Sequence, residues 1–296
     1  MSKNRISFRA NGPISLSRKL VKEENPFLLI IKLLSISYLP QLLVVLSLNI
    51  FNKNIDAENL TLISLYMTSI SSLLIFLYAR KSLGFSKKAL GLRAGKNFKN
   101  YLLGLILGGG LLSLSLIIGL IFDIYDIRIN IGSINPLIFL AFLIGWIFQG
   151  FHEELMVRGI LMTYFASHRS VGLGLLVNSL IFSTLHLGNT SFGLIACINI
   201  FLLGLIFSFI YYLGESLYLA GAAHSFWNFF QANIFGIRVS GIVYNKNSIF
   251  ITESRGQDIL SGGAFGIEGS LIVTILGLLA LLSLYKLGKD KGFISK

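Results

Sequence analysis

The sequence predicts an all-α membrane protein, a polytopic bundle of about eight transmembrane helices around a buried polar cavity. Three observations carry that expectation. Mean hydropathy is +0.76, and 54% of residues are hydrophobic against 13% charged, well below the charged share of a soluble domain. Apolar runs of about 20 residues recur along the chain, each long enough as a helix to cross roughly 30 Å of hydrocarbon. Period-two alternation is absent, which argues against a membrane β-barrel.

The net charge of +12 does not point to nucleic acid. The basic residues sit between apolar runs, where they act as topology signals. The lone Cys197 lies inside an apolar run, so it excludes an intrachain disulfide and reads as a small buried residue.

Residues 1–26 carry Lys3, Arg5, Arg9, Arg18, Lys19 and Lys22 without an apolar core, so they read as a disordered or surface-lying cytoplasmic tail, not a cleavable signal. A single integral membrane domain is expected over 27–287, followed by a basic tail over 288–296. The first span covers about 27–50, with Pro40 as a kink near its middle. A turn with Lys53, Asp56 and Glu58 leads to a second span over about 60–79. The next linker holds Arg80, Lys81, Lys87, Lys88, Arg93, Lys96 and Lys99 and no acid, which places it in the cytoplasm.

The third span, over about 101–122, contains Gly108-Gly109-Gly110; in an apolar run with no Lys-Ser or Lys-Thr after it, the triplet reads as a helix-packing surface, not a phosphate loop. After Asp123, Asp126 and Arg128, a fourth span begins near Pro136 and ends in His152-Glu153-Glu154-Leu155-Met156-Val157-Arg158. Further spans are expected over about 171–187, 192–213 and 215–233, then a polar, Gly-rich loop over 234–268, then an eighth span over about 270–287. The last basic residues are Lys286, Lys289, Lys291 and Lys296. Eight spans put both termini on one side, and the Lys/Arg bias makes that side cytoplasmic. The expected location is a plasma membrane, bacterial in origin. No internal repeat supports an inverted-repeat transporter.

Three polar clusters interrupt the apolar helices: the stretch at 152–158, Phe182-Ser183-Thr184-Leu185-His186, and His224-Ser225-Phe226-Trp227-Asn228. Each ionisable group inside a span costs roughly 2.5–3.5 kcal/mol by insertion scales, so such groups face a protein interior or a wet cavity. Residues four apart share a helix face. Glu154 thus lies beside Arg158, Phe182 beneath His186 and His224 beside Asn228, while Glu153 is turned about 100° from Glu154 and shares its face with Gln149 and Val157. The two adjacent acids cannot do the same job. Helix lengths permit one buried site built from Glu153, Glu154, Arg158, His186, His224 and Asn228.

In this order and in successive helices, Glu153-Glu154-x-x-x-Arg158, Phe182-x-x-x-His186 and His224-x-x-x-Asn228 resemble the three motifs of the CAAX-protease and bacteriocin-processing (CPBP, or Abi) family of intramembrane endopeptidases. The match spans about 149–231. The resemblance implies peptide-bond hydrolysis inside the membrane, with Glu153 as general base and His186 helping to hold the water. It implies that Arg158 pairs with Glu154, and that His224 and Asn228 polarise the scissile carbonyl and bind the oxyanion.

Cofactor chemistry stays open. Glu153, His186 and His224 are candidate ligands for a divalent metal such as zinc, yet Met156 stands where the second His of His-Glu-x-x-His belongs, and a metal-free glutamate mechanism uses the same residues. The implied partners are the lipid bilayer and a membrane-associated peptide or protein substrate, prenylated or bacteriocin-like. Two other classes compete: a non-catalytic bacteriocin-immunity or scaffold protein, and a small-solute transporter. His152 and His168 read as bystanders, and Phe182, Trp227, Phe229 and Phe230 as cavity wall or core. The stretch Ser261-Gly262-Gly263-Ala264-Phe265-Gly266 is expected to cap the outer mouth.

Overall fold

A computed structural model describes residues 6–51, 55–93, 95, 97–242 and 247–295. Lys3, Arg5, Lys53, Lys96 and Lys296 of the basic segments lie outside them. From residue 6 onward the N-terminal segment is folded onto the bundle. After strand β1 (Ser7–Phe8), Asn11 caps helix α1 (Gly12–Leu20), its Oδ1 accepting from Ile14 N at 3.0 Å. Pro13 occupies the first turn, where its missing N–H does no harm. Asn11 also donates to the Tyr212 carbonyl at 2.9 Å, and Ile14 is fully buried. The tail expected to be disordered or surface-lying is therefore a surface helix anchored by its apolar side.

Several membrane helices begin at capped prolines or capped polar turns. Asn25 caps α2 (Pro26–Ile50), which continues through Pro40, and Asp56 caps α3 (Ala57–Lys81). After α4 (Asn97–Ile121) comes strand β2 (Tyr125–Ile129), and Asn135 caps α5 (Pro136–Glu154). The span expected to end at the first motif does not end there. It runs on through a π-helical segment, Leu155–Met162, into α6 (Thr163–His168), so that Pro136–His168 is one continuous helix with the motif in its middle. π segments of this kind recur at functional sites.

The next helix, α7 (Val171–Thr184), has 14 residues. At 1.5 Å per residue it covers about 21 Å, short of the hydrocarbon thickness. It is followed by α8 (Leu194–Gly214), then α9 (Leu217–Phe229), which is extended by a π turn, Phe230–Ile234. Every residue of α9 except Tyr218 is buried, so α9 is the centre of the bundle. Strand β3 (Phe250–Ser254) pairs antiparallel with β2 from Tyr125↔Ser254 to Ile129↔Phe250. A short helix α10 (Asp258–Ser261) precedes α11 (Leu271–Asp290), and β4 (Ile294–Ser295) pairs with β1.

Among the described residues, six helices are long and apolar enough to cross a membrane. The expected fifth and seventh spans, α7 and α9, fall outside that six because they are short, 14 and 13 residues. Cys197, expected to be buried, is half-buried, with Sγ 3.6 Å from Ser183 Oγ.

Glycine lets α4 and α5 press onto α9. A Cβ on Gly108 would lie 1.8 Å from the Ala223 carbonyl oxygen, one on Gly109 would lie 3.1 Å from the Phe230 ring, and one on Gly150 would lie 2.6 Å from Ser225 N. The glycine triplet is thus a packing surface, and its target is the helix carrying the third motif. Gly110 faces nothing within 4 Å. Gly108→Leu is expected to destabilise the protein by about 1–3 kcal/mol through overpacking, whereas Gly110→Ala should stay within about 0.5 kcal/mol of wild type. Thermal unfolding in detergent measures both.

Candidate active site

A cavity of about 420 Å³ opens beside α5, α7 and α9, and Gln149, Glu153, His186, His224 and Asn228 all line it. Glu154 and Arg158 do not. They lie behind the wall, both fully buried. Arg158 donates from Nη1 to Glu154 Oε1 at 2.6 Å, from Nη2 to the Gly204 carbonyl at 2.9 Å and from Nε to Ser208 Oγ at 3.4 Å. Its guanidinium also sits 4.5 Å from the Phe182 ring centroid, a cation–π contact with the first residue of the second motif.

The same Glu154 oxygen lies 2.9 Å from His224 Nδ1. Arg158 does not lose its proton in a protein, so Oε1 is an acceptor and His224 donates from Nδ1. The ring is fixed further by stacking on Phe207, with centroids 4.9 Å apart and planes at 13°. Pinned on that side, His224 turns Nε2 toward Glu153 Oε2, 3.8 Å away. That is too long for a hydrogen bond.

Glu153 is one-quarter exposed. Its Oε1 accepts from Gln149 Nε2 at 2.6 Å, while its Oε2 has no hydrogen-bond partner. Asn228 Nδ2 donates to Gln149 Oε1 at 2.9 Å, so Gln149 bridges the first and third motifs. Gln149 stands one turn before Glu153 on the same face, and that spacing was the signal for it. His186 sits in the turn after α7, its Nδ1 2.8 Å from the Phe182 carbonyl and its ring edge-on to Phe182 at 4.9 Å. It shares the cavity with Glu153, but no hydrogen bond or ion pair joins the two among the described residues. The structure thus builds two hydrogen-bonded sets, Arg158–Glu154–His224 and Glu153–Gln149–Asn228, which approach each other where Glu153 Oε2 lies 3.8 Å from His224 Nε2, and His186 shares the cavity without joining either.

Residues 135–230 match the family model of Rce1-like proteins, type II CAAX prenyl endopeptidases. The range begins at the cap of α5 and ends just past α9, so it contains all three motifs. Over this region the chain is similar to the CPBP/CAAX intramembrane proteases, and the match supports that family. Comparison with curated proteins gave no match.

The donor set gives no support to a metal centre. Among the described residues, no group of three or more His, Cys, Asp or Glu could hold a metal ion. The candidate ligands Glu153, His186 and His224 do not fit one as arranged, and no step below is routed through a metal.

Two residues of this site escaped the sequence reading. His152, expected as a bystander at the helix margin, is buried and lines the cavity. Its Nε2 lies 2.6 Å from Ser37 Oγ on α2 and its Nδ1 3.3 Å from Ser72 Oγ on α3. It ties the motif helix to both neighbours, and isolated serines in apolar helices gave no sign of it. His152→Leu is expected to cost about 1–3 kcal/mol through lost buried hydrogen bonds, readable as a lowered unfolding midpoint. The other is Glu268, a buried acid that lines the cavity from the far loop. His168 lies at the end of α6, with Nδ1 3.1 Å from the Tyr164 carbonyl and no part in the cavity lining.

Proposed function

We propose that this chain is an intramembrane endopeptidase that hydrolyses a peptide bond of a membrane-associated substrate with water activated by Glu153. The observation that carries the reading is Glu153 Oε2: it lines the cavity, lacks a hydrogen-bond partner and faces His224 Nε2. A carboxylate oxygen in that setting is a general base in search of a proton.

In the first step, a water held by Glu153, with His186 opposite, gives its proton to the carboxylate as its oxygen attacks the scissile carbonyl carbon. The carbonyl oxygen takes up the negative charge. His224 Nε2–H and the second N–H of Asn228 donate to it, in the manner of an oxyanion hole. His224 enters this step with protons on both nitrogens and keeps both, and Glu154 at Nδ1 stabilises the cation. Glu153 then passes its proton to the leaving nitrogen as the C–N bond breaks, giving an amine and a new carboxylic acid, whose remaining water-derived proton passes to the amine to leave a carboxylate and an ammonium group.

The test is cleavage of a panel of amphipathic peptides, in farnesylated and unmodified form, by protein reconstituted in vesicles. Cleavage of any panel member at a single bond, detected by mass spectrometry, is the expected result. An uncut panel together with solute uptake by the same vesicles would overturn the reading in favour of a transporter. We also place both termini in the cytoplasm. The β1–β4 pairing sets them side by side, and a reporter fused after the last residue should be inaccessible from outside intact cells.

A further inference from the structure

We propose that Glu268 is a positioning residue for this hydrolysis: it latches the segment 237–242 to α9 so that the segment forms one wall of the substrate cavity. The proposal rests on the protease reading above and concerns a part of the chain beyond the three motifs. Glu268 is 3% exposed, and a buried carboxylate is costly unless its oxygens are satisfied. Here both are. Oε1 accepts from Trp227 Nε1 at 3.1 Å, and Oε2 accepts from Ser240 N and Ser240 Oγ, each at 2.8 Å. These donors are neutral, so Glu268 is not half of a salt bridge fixing helix register.

What the carboxylate joins is informative. Trp227 stands beside Asn228 and three residues after His224, on the helix that faces Glu153. Ser240 lines the same cavity, as do Val239 and Ile242. Ser240 has φ of 46°, a left-handed conformation unfavourable for a residue with a Cβ, and its two bonds to Glu268 hold it there. Gly241 follows at φ of 88°, so close to the loop after His186 that a Cβ would lie 2.3 Å from the Thr190 carbonyl oxygen. The segment therefore spans from α9 to the loop after α7 across the cavity, with one acid as its fastening. Asn199 anchors that acid from α8, its Nδ2 donating to the Glu268 carbonyl at 2.7 Å. Without the latch, Ser240 has every reason to leave its strained conformation and carry the wall with it.

The test uses the full-length protein and the Glu268→Gln variant. Gln offers one acceptor oxygen and an NH₂ where the carboxylate offers two acceptors, so it cannot satisfy Trp227 and Ser240 together. Peptide cleavage is expected to show KM raised about tenfold with kcat within about threefold, the pattern of lost binding without lost chemistry. Independently of activity, trypsin should cut after Arg238 in Glu268→Gln but not in wild type or in Glu153→Gln. An unchanged KM with Arg238 still protected overturns the latch and leaves the protease reading standing, as does a loss confined to kcat with Arg238 protected. If wild type cleaves no peptide, the protease reading fails, and protection of Arg238 in Glu268→Gln alone overturns the latch. Should Glu268→Gln fail to accumulate, Trp227→Phe removes only the indole donor and carries the same two readouts, with a smaller expected rise in KM.

Discussion

Glu153→Gln is expected to lower kcat for peptide hydrolysis by about 10²–10⁴-fold, the contribution of a positioned general base, while leaving the bundle intact. The amide is nearly isosteric with the carboxylate, and its oxygen still accepts from Gln149, whose bond to Glu153 is 2.6 Å long. What it lacks is the ability to take a proton. Unfolding at the wild-type temperature with hydrolysis lost is the result to look for; hydrolysis within tenfold of wild type would mean that the base is elsewhere.

The second large effect is on stability. Arg158→Met should destabilise the protein by roughly 3–5 kcal/mol, because it leaves a buried carboxylate without its cation. Glu154 is fully buried and Arg158 supplies its strongest partner at 2.6 Å. Activity should fall with it, since Glu154 Oε1 also fixes His224. The double variant Glu154→Leu/Arg158→Met separates the two consequences. Apolar replacement of both partners of a buried pair is often neutral or stabilising, so the double variant should regain most of the stability. It should not regain hydrolysis, because His224 has lost the acceptor on Nδ1. A double variant as active as wild type would show that the pair only fixes helix register, and thermal unfolding with parallel cleavage assays reads both quantities.

Much of this site was legible because helical spacing is rigid. Glu154 and Arg158, four residues apart, had to meet, and Glu153, a third of a turn away, had to face elsewhere; the cavity wall passes between them. The order of the three motifs in apolar segments carried the resemblance that the match over 135–230 supports. Spans defined by hydropathy were legible for lipid-facing helices such as α2, α3 and α11 and for the largely buried α8 and α9 alike, because an apolar run marks a helix in either setting; α7, expected over about 171–187, ends at Thr184. Continuation of the fourth span through Leu155–Met162 was hidden too, since a π segment leaves no mark on hydropathy. Glu268 and His152 were missed for a common reason: their partners, Ser240 and Trp227 or Ser37 and Ser72, are brought to them by folding across 28 to 115 residues. No local pattern encodes such distances.

The most direct measurement is mass spectrometry of a substrate peptide cleaved by the reconstituted protein in ¹⁸O-enriched water. Hydrolysis by Glu153-activated water puts ¹⁸O into the new carboxylate of the upstream fragment, and Glu153→Gln forms that fragment at no more than about a hundredth of the wild-type rate. Fragments without ¹⁸O, or equal rates from wild type and Glu153→Gln, would contradict it.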